Sequence, residues 1–275
     1  MKHDDAFPRS LRAYRSVIED TVEPTVLMSL QPQATRLQQS KIGGVPYFPL
    51  DYPPETVYTA GFGYDSGIVS PWPKHRGTGR ELMLLLQLNF EEMPRLPSFP
   101  TTGILQLFVD DDDWHDLGRE LRAVYHRHVI QDDERLCQGL EEAMPDSRVP
   151  ETALSFAREN EFMTSADFRI DPELERFIFK QDAAWRDFLK ITHHRHHGND
   201  EVGYGKNKIG GYHYSQNDQD PRHGRRGWED SMLLVQFCDF GALSWGDGGS
   251  AQFFIKRKDL ERLHFGDLLF HWDST

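Results

Sequence analysis

Apolar runs of strand length alternate along this chain with polar stretches rich in glycine and proline. Runs at 82–89, 103–109, 231–238 and 251–256 are short, rich in branched and aromatic residues, and bounded by turn residues, which predicts strands. Residues 121–130 (LRAVYHRHVI) read as a further strand, and 268–272 as one that closes the sheet. Leu11, Tyr14, Val17 and Ile18 recur at helical spacing, predicting a helix over 8–30 that Pro24 ends or interrupts. Further helices are expected at 132–144, 150–162 and 172–195, the last opening on Asp171-Pro172. Lys258 to Leu263 reads as a short helical turn. The strands follow one another without crossover helices, so antiparallel pairing is expected within each half. Residues 43–80 are dense in Gly, Pro and aromatic side chains and read as a long loop anchored by its rings.

Three blocks of this pattern occur twice in the same order. KIGGVPY at 41–47 matches KIGGYHY at 208–214 at five of seven positions. Each is followed by an apolar strand carrying a glutamine, LMLLLQLNF at 82–90 and SMLLVQFCDF at 231–240. Each then leads to a strand introduced by glycine, GILQLFVD at 103–110 and GSAQFFIK at 249–256. The connections differ in length while the blocks persist, as expected where loops tolerate insertion and packed strands do not. Three blocks in one order point to a diverged internal duplication.

The residues Lys41-Ile42-Gly43-Gly44, the strand Leu84 to Leu88, Lys208-Ile209-Gly210-Gly211, Gln216, the strand Leu233 to Gln236, and Trp245-Gly246-Asp247-Gly248-Gly249 before a Phe-Phe strand form a set. Through them the chain resembles the YwqG-like family, a bacterial domain of unknown function, over most of 36–275. The resemblance implies a fold and carries no activity with it.

Composition narrows the function classes. At 275 residues the chain can bury a sizeable core without a disulfide or metal staple. Its two cysteines, Cys137 and Cys238, suit a reducing compartment. Residues 1–20 are polar, and no apolar run approaches the length of a membrane span, so a cytoplasmic protein is expected. The formal charge is −13, and it is uneven: 111–190 holds 20 acids against 11 bases, while the flanks are nearly balanced. Such a field disfavours nucleic acid and anionic lipid and favours a basic protein partner.

Candidate chemistry is sparse. The paired glycines allow a sharp turn or a close approach, and the adjoining Lys41 or Lys208 could hold an anion; the competing structural reading is a turn packed on the sheet with its lysine outward. Gln87 and Gln236 lie in apolar strands, so each amide needs partners, either the turn of its own half or a ligand. Asp247 sits in a turn sequence. His193, His194, His196 and His197 cluster, with 193 and 197 on one helical face, but no Cys or His-Glu-x-x-His arrangement completes a zinc set. His126 and His128 would share a strand face, and Asp110 to Asp113 lacks the glycine and closing Glu of a calcium loop. No Gly-x-Ser-x-Gly nucleophile is present.

The sequence therefore predicts an α+β protein, internally duplicated, with mostly antiparallel or mixed sheets and a helical segment between the halves. The expected divisions are an N-terminal helical segment at 1–35, halves at 36–130 and 191–275, and an acidic helical insert at 131–190. Ligand-binding candidates are Lys41, Gly43, Gly44, Gln87, Lys208, Gly210, Gly211, Gln236 and Asp247. No cofactor or metal is expected, with His193 and His197 the weak metal candidates. A non-enzymatic binding or interaction module is the leading function. The alternatives are a metal-assisted, hydrolase-like enzyme using the histidines and the aromatic loop, and an immunity-type protein covering a basic toxin domain.

Overall fold

The computed structural model describes residues 7–51, 57–58, 72–110, 120–144, 149–192, 206–215, 217, 219–239 and 243–274. Eleven strands, numbered in chain order, lie among them: β1 (Glu23–Pro32), β2 (Lys41–Ile42), β3 (Val57–Tyr58), β4 (Met83–Asn89), β5 (Ile104–Val109), β6 (Arg122–His126), β7 (Thr152–Glu161), β8 (Lys208–Gly210), β9 (Ser231–Cys238), β10 (Ser250–Lys256) and β11 (Leu268–Asp273). They form one sheet in the order β11-β10-β9-β8-β1-β7-β2-β4-β5-β6-β3. Every ladder is antiparallel. The α-helices are α1 (Arg15–Glu19), α2 (Pro172–Lys180), α3 (Asp182–Thr192) and α4 (Arg257–Glu261). The protein is thus mostly antiparallel β with few helices.

All side chains of β4 and β5 are buried, which is why their sequences are apolar on both faces. One face of the sheet carries the main core, with Val26, Leu86, Leu105, Val235 and Phe253 among its members. On the other face, Phe48, Trp72, Leu84, Phe108 and Val124 pack together at one end, and Trp228, Leu233, Phe254 and Leu269 at the opposite end. Leu85 in β4 and Leu234 in β9 are each skipped by the register of the neighbouring strand, two residues before Gln87 and Gln236 respectively.

The middle of the sheet departs from the sequence expectation. Residues 150–162 are not a helix: they supply β7, which pairs with β1 from Glu23↔Glu161 to Pro32↔Thr152. Leu154 and Phe156 pack on the core while Ser155 and Ala157 are exposed, a period of two that the helix-favouring Ala, Leu, Arg and Glu content obscures. The helix expected over 8–30 ends at Glu19 for the same kind of reason, since Val26 and Met28 alternate into the core from β1. The segment between the halves is therefore not simply a helical insert. It carries a central strand as well as two helices.

Those helices form a second core with the N-terminal segment, through Leu11, Ile18, Ile170, Leu174, Ile178, Ala184 and Phe188. Asp171 caps α2 by accepting hydrogen bonds from the Glu173 and Leu174 amides, and Pro172 occupies the first turn. One continuous helix was expected over 172–195, but Gln181 is extended and separates α2 from α3. The apolar face explains the break: Ala184 lies six residues beyond Ile178, roughly 240° round an unbroken helix, and would face away from the core.

Candidate functional site

The two Lys-Ile-Gly-Gly segments turn the chain at equivalent points of their ladders. Lys41 lies opposite Gln87, and Lys208 opposite Gln236. Gly43, Gly44, Gly210 and Gly211 all have φ between 62° and 71°, a region costly for residues with a Cβ. The expectation of outward lysines fails, because both are buried. Lys41 Nζ donates to the Val45 carbonyl (2.9 Å) and lies 3.7 Å from Glu151. Lys208 Nζ donates to both carboxylate oxygens of Glu161, at 2.7 and 2.8 Å. Burial pushes the Lys41 amine down to about 8, against the opposing pull of Glu151. The lysines thus hold the turns onto the two ends of β7, the ion pair offsetting part of the desolvation cost.

The glutamines complete the same construction. The Tyr47 amide donates to Gln87 Oε1 (2.8 Å), and the Tyr214 amide to Gln236 Oε1 (2.7 Å). Gln87 Nε2 donates to the carbonyls of Leu37 and Gln39, and Gln236 Nε2 to that of Lys206. Gln106 and Gln252, the glutamines of the third repeated block, donate to the Tyr47 and Tyr214 carbonyls. Gln87 and Gln236 thus spend both ends of their amides on protein partners.

The halves differ in what surrounds this frame. Where the first has Pro46 and Phe48, the second has His213 and Ser215. His213 is fully buried and meets Asp167, which precedes α2, and Asp220 and Arg222, which follow β8. Among the described residues, Asp167, His213 and Asp220 are the one set of three whose metal-ligand-type atoms all lie within 4.8 Å of one another. Arg222 stands in their midst. Its NH2 donates to Asp167 Oδ2 (2.9 Å) and Asp220 Oδ2 (2.7 Å), and is 3.5 Å from His213 Nδ1. Its Nε donates to Asp220 Oδ1 and its NH1 to the Ser231 carbonyl. Arg169 grips Asp167 from the other side, Nε to Oδ1 at 2.8 Å and NH2 to Oδ2 at 2.7 Å. The network extends through Asp273, which accepts from Ser215 and Ser250.

These contacts set the charges. Burial alone would raise the Asp167 carboxyl, but the Arg169 hydrogen bond and the charges of Arg222 and Arg169 hold it well below the usual range. Asp220 is likewise lowered, burial being outweighed by Arg222 and His213. Burial pushes His213 down to about 4, against the attraction of Asp220, so at neutral pH its imidazole is uncharged. Two carboxylates and a neutral imidazole are donor types that ligate divalent cations. The Arg222 nitrogen, however, already lies among the three donors and supplies the positive charge, so the set does not fit a resident metal.

The remaining candidates do not join this cluster. Asp247 lies in an exposed turn before β10. His126 ends β6, fully buried against Gln106 Oε1 (3.1 Å), whereas His128 lies beyond the strand and is exposed, so the two do not share a strand face. Asp110 is held by His75 and Arg80. Cys238 is buried, its thiol pushed up to about 12 chiefly by burial. His193, His197, Asp111 to Asp113, Gln216 and residues 52–56 and 59–71 of the aromatic loop lie outside the described residues. The sequence reading missed Asp167, His213, Asp220 and Arg222. His213 could have been noticed as the histidine replacing Pro46 in the repeated motif, and Asp220-Pro221-Arg222 lies close by, but Asp167 is distant in sequence and only the fold brings it in.

What the fold and the site define is an antiparallel β protein with a buried cluster of Asp167, His213, Asp220 and Arg222. The chain belongs to the DUF1963 family, a domain of unknown function, which matches residues 40–274. No curated protein matches it. None of the described helices is long and apolar enough to cross a membrane.

Proposed function

We propose that this chain is a non-enzymatic binding module that docks a basic protein surface. The observation that carries the reading is the state of the polar cluster. Asp167, His213 and Arg222 are 1 %, 0 % and 3 % exposed, and the charged groups among them are committed to one another. General acid–base or nucleophilic work needs a group within reach of a substrate. Exposed groups elsewhere are richer in acid than base: Asp132, Asp133, Glu134, Glu141 and Glu142 are exposed beside the exposed Arg135, and nearby Leu50, hydrogen-bonded to the Arg135 carbonyl, is 56 % exposed. Acidic side chains around an apolar residue suit an interface with a basic partner. An immunity-type role, in which this face covers a basic toxin domain, is one form of the proposal. A cytoplasmic location fits it.

The finer family assignment, YwqG-like, rests on the motifs named above. The internal duplication rests on the repeated lysine–glutamine pairing, glycine turns, skipped residues Leu85 and Leu234, and tyrosine amide bonds. On this view 36–130 and 191–275 are the related units, with β1 and β7 between them.

Affinity capture at low and moderate salt tests the docking, using the wild-type chain and the triple variant Asp132→Asn, Asp133→Asn, Glu134→Gln. The proposal expects a basic protein, retained at low salt, released as salt rises and lost from the variant. A partner indifferent to the substitutions, or none at low salt, overturns it. The metal-assisted reading would require a cation to displace Arg222 NH2 from among Asp167, His213 and Asp220. Stoichiometric metal in the purified protein, lost on His213→Asn, would establish it instead.

A further inference from the structure

A cavity of about 270 Å³ opens between the N-terminal helical segment and α2. Val17, Ile18, Met163, Ile170, Leu174 and Phe188 give it apolar walls. Three ionisable or hydroxyl side chains also line it: Thr21, Arg169 and Asp171. Two of them are spent. The Thr21 hydroxyl donates to the Ile18 carbonyl (2.7 Å) and accepts from the Met163 amide (3.0 Å). Asp171 accepts from the Glu173 and Leu174 amides, both at 2.9 Å, and its charge is complemented by the helix end it caps.

Arg169 differs. Its Nε and NH2 are fixed on Asp167, and its guanidinium lies 5.8 Å from the ring centroids of both Phe168 and Tyr212. Its NH1 has no hydrogen bond among the described residues. The side chain is therefore held rigidly, with one face of its fork uncommitted. A guanidinium only donates, so the matching ligand group is an acceptor, and a carboxylate matches its charge and planar geometry best. The exposed Pro172 at the rim leaves a route from solvent.

We infer that this cavity binds a small monocarboxylic acid, its apolar body among Ile18, Leu174 and Phe188 and its carboxylate on Arg169. An apolar cavity of about 150 Å³ suffices for benzene, so this one has room for a phenyl or short branched body with a linking carbon. The inference is independent of the docking proposal, since the cavity lies in the helical core and the exposed acids lie elsewhere in the chain.

Isothermal titration with phenylacetate and with 2-phenylethanol, which replaces the carboxylate by a hydroxymethyl group, tests it. For a ligand of this size the dissociation constant expected is on the order of 0.1 to 1 mM. Phenylacetate is expected to bind about tenfold more tightly than the alcohol. Arg169→Gln should remove that difference, and Val17→Phe, which adds bulk at the partly exposed mouth and keeps the arginine, should weaken both ligands. Circular dichroism establishes that each variant is folded. If Arg169→Gln fails to fold, the comparison of acid with alcohol and the Val17→Phe variant still decide. Absence of saturable binding, equal affinity for acid and alcohol, or indifference to Val17→Phe overturns the assignment.

Discussion

At Gly211 the construction of the repeated turn can be tested at one atom. Its φ of 69° disfavours any side chain, and a Cβ there would collide with Glu161 Oε1. That oxygen accepts from Lys208 Nζ (2.7 Å) and from the Tyr212 amide (2.5 Å). A methyl group would therefore strain the backbone and push apart a buried ion pair, which is expensive because each charge then loses its partner out of water. Gly211→Ala is expected to cost about 3 kcal/mol or more, from about 1 kcal/mol of backbone strain upward. Gly139 serves as the comparison: its φ is 71°, but a Cβ there meets nothing within 4 Å, so Gly139→Ala should show the backbone term alone. Urea unfolding of both variants measures the difference. Equal losses would mean that Glu161 simply moves aside and that the glycine is needed only for its φ.

At the level of elements, β7 joins the two halves of the sheet. It pairs with β1 over ten residues and with β2 at Thr152 and Ala153. Ala157 stands opposite Leu27 in the middle of the β1 ladder. A proline there removes a donor and fixes φ at a helical or polyproline value, so Ala157→Pro is expected to abolish cooperative unfolding or lower the midpoint severely, by the equivalent of about 3 kcal/mol or more. A near-native thermal transition would contradict a central strand at these residues. The strands that were legible share one property. β4, β5, β9 and β10 are buried on nearly all sides, so their sequences are largely apolar on both faces, broken by a buried glutamine in each, and bounded by turns. β7 was not legible because its outward positions, Ser155, Ala157 and Glu159, are also good or tolerable helix residues, and only Leu154 and Phe156 report the period of two. The site divides the same way. Lysine, glycine and glutamine could be read because each turn meets its own strand within one half, whereas Glu151 and Glu161, which hold the lysines, come from β7 and its approach. Their partnership is a product of the topology, and no local spacing encodes it.

Across the whole molecule, the buried histidines predict how the fold responds to acid. His126 and His213 are fully buried, and burial pushes their imidazoles down to about 3 and about 4 respectively, from an ordinary value of 6.5. In the unfolded chain both take up protons as the pH falls through 6.5. In the folded chain they do so only near 4 and below. Between these limits the unfolded state binds more protons, so stability falls as pH falls, by about 1.4 kcal/mol per pH unit for each histidine fully titrating in the unfolded state only. The loss should begin near pH 6.5, well above the carboxylate range. Asp167 and Asp220, whose carboxyls are lowered in the fold, add a further loss only where unfolded carboxylates protonate, near pH 4 and below. Two regimes are thus expected, a histidine slope and then a steeper carboxylate slope. His126→Gln separates them: glutamine can still hydrogen-bond Gln106, which lies 3.1 Å from the His126 ring, but it does not titrate. Urea midpoints measured from pH 7.5 to 4.5 should decline in the wild-type chain and decline less steeply in the variant, whatever its stability at neutral pH. Parallel profiles for the two proteins would show that His126 takes up its proton in the folded state as readily as in the unfolded one. The closed environment that Gln106 and the rings of Tyr47 and Phe48 give to this residue would then be open to water.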